Sequence, residues 1–266
     1  MIHPLIKNTL ALLLALFTLT GTAQSPYHFH LGRELAFIGG GGVTVAAGVL
    51  LKDKTTLFTI AELEQLDPGS VKSFDRRAIY NTSQSARNAS DYFLYGSHAL
   101  PLLLLAGREV RQDFGALAFL WGETLLINGG LTFAAKYAFR RPRPYVYNEE
   151  IATSEKLTTS AKTAFFSGHT SMVAANAFFT AKVFSDYYPE SKWKPVVWSV
   201  AAAVPAITGY LRVEAGRHYP SDVIAGYFAG ALAGYLVPHL HKKARGGQKG
   251  VELYGGMNGA LLRVVF

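Results

Sequence analysis

Of the 266 residues in the chain, half are hydrophobic and only 17% are charged, with a formal net charge of +8 and no cysteine. The charged share is below the roughly 25% of an ordinary soluble domain, and the hydrophobic share argues against nucleic acid as the main partner. The absence of cysteine excludes disulfides and cysteine-ligated zinc sites.

Residues 1–23 have the order of a secretory signal. Lys7 precedes an apolar run at 10–19, and small residues follow up to Ala23. Charged, apolar and small-residue regions in this order are typical of segments that direct a chain out of the cytoplasm. We expect cleavage after Ala23, and the alternative is an uncut membrane anchor.

The apolar run at 35–51 is rich in glycine and short. It has about 17 residues, whereas a membrane-crossing helix needs roughly 20. We therefore expect this run not to complete a crossing, and to lie in the membrane interface or pack against other helices. In the polar stretch that follows, we expect Arg76, Arg77 and Arg87 on a solvated or headgroup-facing surface.

After residue 91 the chain consists of long apolar runs separated by short charged connections. Small residues inside the runs let membrane helices approach closely, and Tyr and Trp near the run ends are typical of interfacial anchors. The runs lie at about 92–107, 114–136, 170–188, 195–211 and 223–240. We predict an all-α fold, a membrane bundle of about five or six apolar helices, with a soluble helical bundle as the alternative.

Basic connections predict the orientation of this bundle. The stretches 108–111, 192–194 and 241–249 are rich in Lys and Arg, and such connections remain in the cytoplasm. The opposite helix ends then face outward, toward the periplasm of a bacterial-type cell envelope. We divide the chain into a signal or anchor (1–23), an N-terminal segment (24–91), a helical core (92–241) and a tail (242–266), which we expect to be loosely packed.

The polar cluster from Arg212 to Asp222 contains a histidine and a carboxylate four residues apart. Pro220 favours a helix start between them, because proline fits the first helical turn. A carboxylate bonded to one imidazole nitrogen leaves the other nitrogen free to attack an electrophile. His218 is therefore a candidate nucleophile with Asp222 as its orienting partner. A surface histidine beside a helix-capping aspartate would have the same pattern.

A second cluster, Ser167-Gly168-His169, directly precedes the apolar run at 170–188. Glycine lets the backbone approach an anion closely, and the first turn of a helix presents free N–H groups. His169 could donate a proton to a leaving oxygen. Ordinary helix capping by Ser167 is the alternative for this cluster taken alone.

The earliest cluster, from Lys136 to Pro144, supplies positive charge at a helix end. Together with Arg212, Lys136 and Arg143 could hold three oxygens of a phosphoryl group, since arginine offers a planar fork and lysine a point charge. Basic side chains at a helix end also extend toward the membrane interface, and we assign that role to Arg140 or Arg141.

In order and spacing, the three clusters resemble the type-2 phosphatidic acid phosphatase and vanadium haloperoxidase superfamily. The matching patterns are K-x6-R-P from Lys136, S-G-H from Ser167 and R-x5-H-x3-D from Arg212, within roughly 114–240. The resemblance implies a phosphatase that works through a phosphohistidine, without a metal or other cofactor. It implies that His218 is the nucleophile, Asp222 its orienter and His169 the general acid, with phosphate bound by Lys136, Arg143, Ser167, Gly168 and Arg212.

Two positions depart from the usual family pattern. Phe166 stands where proline often precedes S-G-H, and Leu211 stands where serine often precedes the arginine. Neither position supplies a charge that the chemistry needs. We predict hydrolysis of phosphate monoesters or diphosphates of membrane lipids, because a site at helix ends lies at headgroup level. The alternatives are a soluble periplasmic acid phosphatase, a vanadate-dependent haloperoxidase and a non-catalytic lipid-binding protein.

Overall fold

A computed structural model describes residues 25–243, 250–256 and 259–265. Within these residues the chain forms eleven α-helices and two strands, joined in places by short turns of 3-10 helix. The elements are α1 (Leu31–Asp53), α2 (Ile60–Glu64), α3 (Ser73–Arg76), α4 (Gln84–Ser97), α5 (Ala99–Leu103), α6 (Arg108–Gln112), α7 (Phe114–Phe139), α8 (Thr153–Lys156), α9 (Gly168–Tyr187), α10 (Lys194–Glu214), α11 (Pro220–His241), β1 (Gly250–Gly256) and β2 (Gly259–Val265).

Five of the described helices, α1, α7, α9, α10 and α11, have 20 residues or more. They confirm the predicted all-α bundle of apolar helices. Four segments among the described residues are long and apolar enough to cross a membrane: Leu31–Asp53, Phe114–Tyr147, Lys194–Glu214 and Pro220–His241. The fifth long helix, α9, lies against α7, α10 and α11 in the centre of the bundle.

The expectation that the run at 35–51 is too short to cross is wrong. Helix α1 has 23 residues, and at 1.5 Å per residue it is about 35 Å long, enough for the hydrocarbon core of a bilayer. The helix begins four residues before the apolar run because its first turn is stabilised by polar contacts. The carboxylate of Glu34 accepts hydrogen bonds from the Arg33 side chain and from the N–H of His30.

The predicted long helix at 92–107 is also interrupted. Helix α4 begins at Gln84, where Ser83 caps it, and ends at Ser97. Four residues later stands Pro101, which has no N–H to donate back to the Ser97 carbonyl. The chain therefore continues as the short helix α5 and a 3-10 turn, Leu104–Ala106, instead of one membrane-length helix.

A glycine seam joins α11 to α9. A Cβ atom added to Gly226, Gly230 or Gly234 would lie 2.5, 1.9 or 2.3 Å from the carbonyl oxygens of Ser167, Ser171 and Ala175, respectively. Glycine at every fourth position lets two helix backbones approach this closely. Because the three contacts advance together along both helices, α9 and α11 run parallel. Their N-terminal ends, which carry Ser167 and Asp222, therefore lie side by side.

Helix directions place all the predicted site clusters at one end of the bundle. Helices α1 and α7 also run parallel, since Gly41 lies against Leu126 and Gly48 against Phe133. The C-terminal ends of α7 and α10 meet the N-terminal ends of α9 and α11 at what we call the site end. The basic stretches 108–111 and 192–194 and the end of α11 lie at the opposite end, the basic end. The basic stretches and the site clusters thus lie at opposite ends of the bundle, as the loop charges predicted.

Two apolar cores support the two ends. The larger core lies toward the basic end and contains Tyr27, Leu104, Val110, Leu117, Leu120, Phe179, Val183 and Val237. A smaller core at the site end contains Val71, Ala78, Ile79, Ala164 and Tyr219. Because Tyr219 follows His218 directly, the smaller core fixes the loop that carries this histidine.

The described part of the tail, which we expected to be loosely packed, forms a hairpin. Strands β1 and β2 pair antiparallel, with Gly250 opposite Val265 and Gly256 opposite Gly259. The short separation between the strands and the weak alternation of the sequence allow this pairing. The predicted signal or anchor at 1–23 lies outside the described residues.

Candidate active site

The three predicted clusters meet at the site end of the bundle. The N–H of Ser167 donates to the carbonyl of Asp222 over 3.0 Å, which joins the second cluster to the third. A Cβ atom on Gly168 would lie 3.5 Å from Cε of Lys136, which places the first cluster over the second. Arg143 donates from Nη1 to the carbonyl of Arg217, 3.4 Å away. The fold therefore brings all eight predicted site residues together at helix ends and in the loops next to them.

A tight turn after α10 brings His218 back over Arg212. The N–H groups of Arg217 and His218 both donate to the carbonyl of Arg212. The turn requires a left-handed residue, which Gly216 supplies with φ of 62°. A Cβ atom there would lie 2.1 Å from the carbonyl oxygen of Asn81, so only glycine fits this position without strain.

His218 is buried and surrounded by positive charge. Only 1% of its surface is exposed. Burial lowers the pKa of His218 well below its usual value, and the charges of Arg143, Lys136 and Arg212 lower it further. The imidazole is therefore neutral at neutral pH and keeps a lone pair for attack.

Asp222 lies beside His218 and is fully buried. Its Oδ2 is 3.6 Å from Nδ1 of His218, an ion-pair distance that is longer than a hydrogen bond. The same oxygen accepts the N–H of Tyr219 at 3.0 Å. Asp222 is thus placed on the Nδ1 side of the ring, and the other ring nitrogen, Nε2, is the one left for attack.

Arg141 contacts site residues and does not lie at the membrane surface. We had assigned either Arg140 or Arg141 to the membrane interface, and for Arg141 that assignment is wrong. Its guanidinium donates to Oδ1 of Asp222 at 2.5 Å and to Oδ2 of Asp75 at 2.8 Å. It also lies over the ring of Tyr219. Asp75 in turn accepts from the N–H and the hydroxyl of Ser221. Arg141 therefore holds the N-terminus of α11 in place from behind Asp222.

His169 lies in the first turn of α9, which Ser167 caps by accepting the N–H of Thr170. Its Nε2 is 2.7 Å from Oδ1 of Asp91. Burial and the nearby charge of Arg212 lower the pKa of His169 to about 4, against the opposing effect of Asp91. A negatively charged substrate beside Arg212 would offset part of this positive field and raise the pKa of His169.

Asp91 and Ser90 are site residues that the sequence did not reveal. Arg212 donates to the Ser90 hydroxyl at 3.1 Å and lies 3.7 Å from Asp91. Neither residue belongs to a recognisable motif, and both precede the region of resemblance. The only local signal is a polar pair at the point where a polar stretch meets an apolar run.

Lys136, Arg143 and Arg212 form a group of cations in which, among the described residues, only Arg212 has an ion-pair partner, Asp91 at 3.7 Å. Lys136 donates to the carbonyl of Thr163, and Arg143 donates to the carbonyl of Ser160. Carbonyl oxygens orient a cation without neutralising it, so the positive charge remains available to an anion. With the N–H groups at the start of α9, these side chains form a site suited to a phosphoryl group.

A family model described as the PAP2 superfamily matches residues 117–245. This region contains all three motifs, from Lys136 to Asp222, and confirms the resemblance that they indicated. Ser90, Asp91 and Asp75 precede the matched PAP2 region, although their side chains contact residues within it.

The chain is similar over part of its length to three named phosphatases. The lipid A 1-phosphatase of Porphyromonas gingivalis is 34% identical over 44% of this chain and 23% of that protein. The lipid A 4'-phosphatase of the same organism is 33% identical over 32% of each chain. Phospholipid phosphatase 2 of Rattus norvegicus is 30% identical over 44% of this chain and 49% of that protein. The similarity thus spans less than half the length of these relatives.

Two solved structures are also similar. The transmembrane PAP2-type phosphatidylglycerolphosphate phosphatase of Bacillus subtilis has a TM-score of 0.46 and 20% identity, covering 75% of this chain and 94% of that chain. The LpxE structure of Aquifex aeolicus has a TM-score of 0.43 and 22% identity, covering 62% of this chain and 92% of that chain.

Proposed function

We propose that the protein is a phosphatase that hydrolyses phosphate monoesters or diphosphates of membrane lipids through a phosphohistidine, without a catalytic metal. The observation that carries this proposal is a buried, neutral imidazole, His218, among three cations. Nucleophilic attack on phosphorus requires the free lone pair and also requires neutralisation of the phosphoryl oxygens. Both requirements are met by side chains of this chain alone.

The reaction has two steps. Nε2 of His218 attacks phosphorus while Lys136, Arg143 and Arg212 bind the equatorial oxygens, and His169 gives its proton to the leaving oxygen. The phosphorylated imidazole retains a proton on Nδ1, and Asp222 stabilises the positive charge that this creates. In the second step His169 takes a proton from water, which attacks phosphorus and releases inorganic phosphate and neutral His218.

The surroundings of the site support a lipid substrate. Tyr92, next to Asp91 in the chain, lines an apolar cavity of about 340 Å³ between α4, α5 and α10. Leu100 lines both this cavity and a second apolar cavity of about 510 Å³ that extends between α5, α9 and α10. An acyl chain whose phosphate lies at Arg212 can occupy these cavities. Among phosphorylated lipids we favour the lipid A phosphates, since two similar proteins are named for them.

The short basic connections between helices support an outward-facing site in a bacterial-type cell envelope. Basic stretches lie at the end of the bundle remote from His218, and such stretches remain on the cytoplasmic side. A phosphorylated lipid in the outer leaflet would then reach the site laterally.

The test is phosphate release from a panel of lipid phosphates in detergent, with excess EDTA at 25 °C. We expect the wild-type protein to be active and His218→Ala to lose at least about a thousandfold in rate, because the nucleophile is gone. His239→Ala, a histidine that stacks on Tyr235 at the far end of α11, is the matched control and should keep full activity. Full activity of His218→Ala, or loss of wild-type activity in EDTA, would refute the proposed mechanism.

A further inference from the structure

A second group of ionisable side chains is buried at the basic end of the bundle. Glu34 comes from the first turn of α1, Glu123 from the middle of α7 and His241 from the last residue of α11. One ligand atom from each lies within 4.8 Å of the other two. At 1.5 Å per residue, His241 lies about 28 Å along α11 from Asp222, so this group is separate from the phosphate site.

His241 presents one ring nitrogen to both carboxylates. Its Nδ1 is 2.7 Å from the carbonyl oxygen of Val237. Because a carbonyl only accepts, Nδ1 carries a proton and Nε2 faces the group. Nε2 lies 2.7 Å from Oε2 of Glu34 and 3.2 Å from Oε2 of Glu123. A histidine whose other ring N–H is fixed by a backbone carbonyl has the orientation usual for a metal ligand.

Glu34 is oriented in the same way. Its Oε1 accepts the N–H of His30 and the guanidinium of Arg33, both at 2.9 Å. These bonds fix the carboxylate and direct Oε2 toward His241. Glu34 and His241 are therefore each held by hydrogen bonds to other groups, and each directs one free ligand atom toward the centre of the three-residue group.

Glu123 supplies the observation that points to a missing cation. Its side chain is 3% exposed; among the described residues Oε1 has no partner, and Oε2 has only the 3.2 Å ion-pair contact with Nε2 of His241, whose geometry is not that of a hydrogen bond. A buried carboxylate without a donor is costly. An imidazolium at His241 has one Nε2–H, which donates to Glu34 over 2.7 Å; Glu123 would keep only the longer ion-pair contact through Oε2, and its Oε1 would have no donor. A cation among the three groups would satisfy both carboxylates at once.

We propose that Glu34, Glu123 and His241 bind a divalent transition-metal ion, with zinc as the best fit. One imidazole and two carboxylates are ligands that zinc accepts, at bond lengths of about 2.0–2.2 Å. Ligand atoms around a tetrahedral ion with such bonds lie about 3.4 Å apart; Nε2 is 3.2 Å from Oε2 of Glu123 and 2.7 Å from Oε2 of Glu34, so the site would widen slightly around the ion. The ion would join α1, α7 and α11 at the basic end and stabilise the bundle without taking part in phosphate release.

The experiment measures metal content and thermal stability of the full chain in detergent, after removal of any affinity tag. Wild-type protein, Glu123→Gln and the matched control Glu190→Gln, an exposed residue at the same end, are incubated with zinc and freed of excess metal. We expect about one zinc per chain in the wild type and in Glu190→Gln, and less than a tenth of that in Glu123→Gln. Zinc at 100 times its Kd should raise Tm by about 5–10 °C in the first two proteins only.

Cobalt provides a readout that needs no variant. Co²⁺ bound in the wild-type protein should give visible d–d absorption that zinc displaces. The proposal is overturned if wild-type protein holds no stoichiometric metal and neither zinc nor EDTA shifts its Tm. It is also overturned if Glu123→Gln binds as much zinc as the control. Because EDTA should lower Tm without stopping phosphate release at 25 °C, failure of this site and failure of the proposed function are distinguishable.

Discussion

At the scale of single residues, the site depends on two histidines whose protonation is set by different neighbours. His218 is kept neutral by burial and by three cations. His169 experiences the same positive field but is also paired with Asp91. The proposed reaction needs the first imidazole neutral and the second protonated in the substrate complex, so the rate should show a bell-shaped dependence on pH.

Asp91→Asn should shift one limb of this pH profile. Asp91 raises the pKa of His169, so its removal lowers that pKa in the substrate complex. Since His169 must be protonated to act as the acid, the alkaline limb of kcat should move down by about one pH unit. The acidic limb, which reports on His218, should not move.

Asp91→Glu keeps the charge and should restore most of the alkaline limb. Measurement of kcat across pH for wild type, Asp91→Asn and Asp91→Glu checks this prediction. A uniform loss of rate with an unchanged profile would show that Asp91 is only a structural partner of Arg212.

At the scale of elements, the site exists because helix ends are brought together by close backbone packing. The glycine seam of α11 places the N-termini of α9 and α11 side by side, and the Ser167–Asp222 backbone bond closes the contact. Arg141 and Asp75 then hold the start of α11 from the other side. The positions of His218 and His169 therefore depend on residues that take no part in the chemistry.

Gly230→Ala should damage both stability and activity. The added methyl would lie 1.9 Å from the carbonyl oxygen of Ser171, so α11 must move away from α9. Overpacking of this kind costs about 1–3 kcal/mol in the free energy of unfolding, and the displaced His218 should lose at least tenfold in kcat/KM.

Gly129→Ala is the matched control, because it makes the same change inside a helix with nothing within 4 Å of the new methyl. It should be neutral or stabilising, by up to about 1 kcal/mol. Thermal unfolding and phosphate release of the two variants provide the comparison. Equal stability of Gly230→Ala and wild type would mean that the seam is looser than the structure indicates.

At the scale of the whole molecule, the parallel course of α1 and α7 links the orientation of the site to the N-terminal segment. Leu31 lies at the basic end of the bundle. If α1 crosses the membrane and the site faces outward, Leu31 must therefore lie on the cytoplasmic side. A crossing by 1–23 out of the cytoplasm, or cleavage after Ala23 outside it, would place Leu31 on the other side. If α1 crosses the membrane, the predicted signal at 1–23 and the predicted outward-facing site therefore cannot both be right.

Cysteine labelling decides between them, because the chain contains no cysteine. Glu149→Cys introduces a thiol at the site end, and Lys192→Cys introduces one at the basic end. In intact cells an impermeant thiol reagent should label position 149 and not position 192. Both should react after the membrane is opened, which controls for access. The reverse pattern in intact cells would place the site in the cytoplasm.

From the sequence we predicted the chemistry of the site, and most of the predicted helices are present in the structure. Charged and small polar residues at the ends of apolar runs indicated where phosphate would bind, because such residues are costly inside a bilayer and concentrate where helices end. Lys136, Ser167 and His218 were predicted as site residues from local spacing. Spacing along one helix end is a short-range property that needs no knowledge of the fold.

Which remote residues complete the candidate site, and in which directions the helices run, follows only from how the helices pack. Asp91 meets His169 across 78 positions of sequence, and Arg141 reaches Asp222 across 81. Glu34, Glu123 and His241 come from three helices and form no motif. Such contacts arise from the packing of distant helices, and the pattern of a single segment carries no record of its partners.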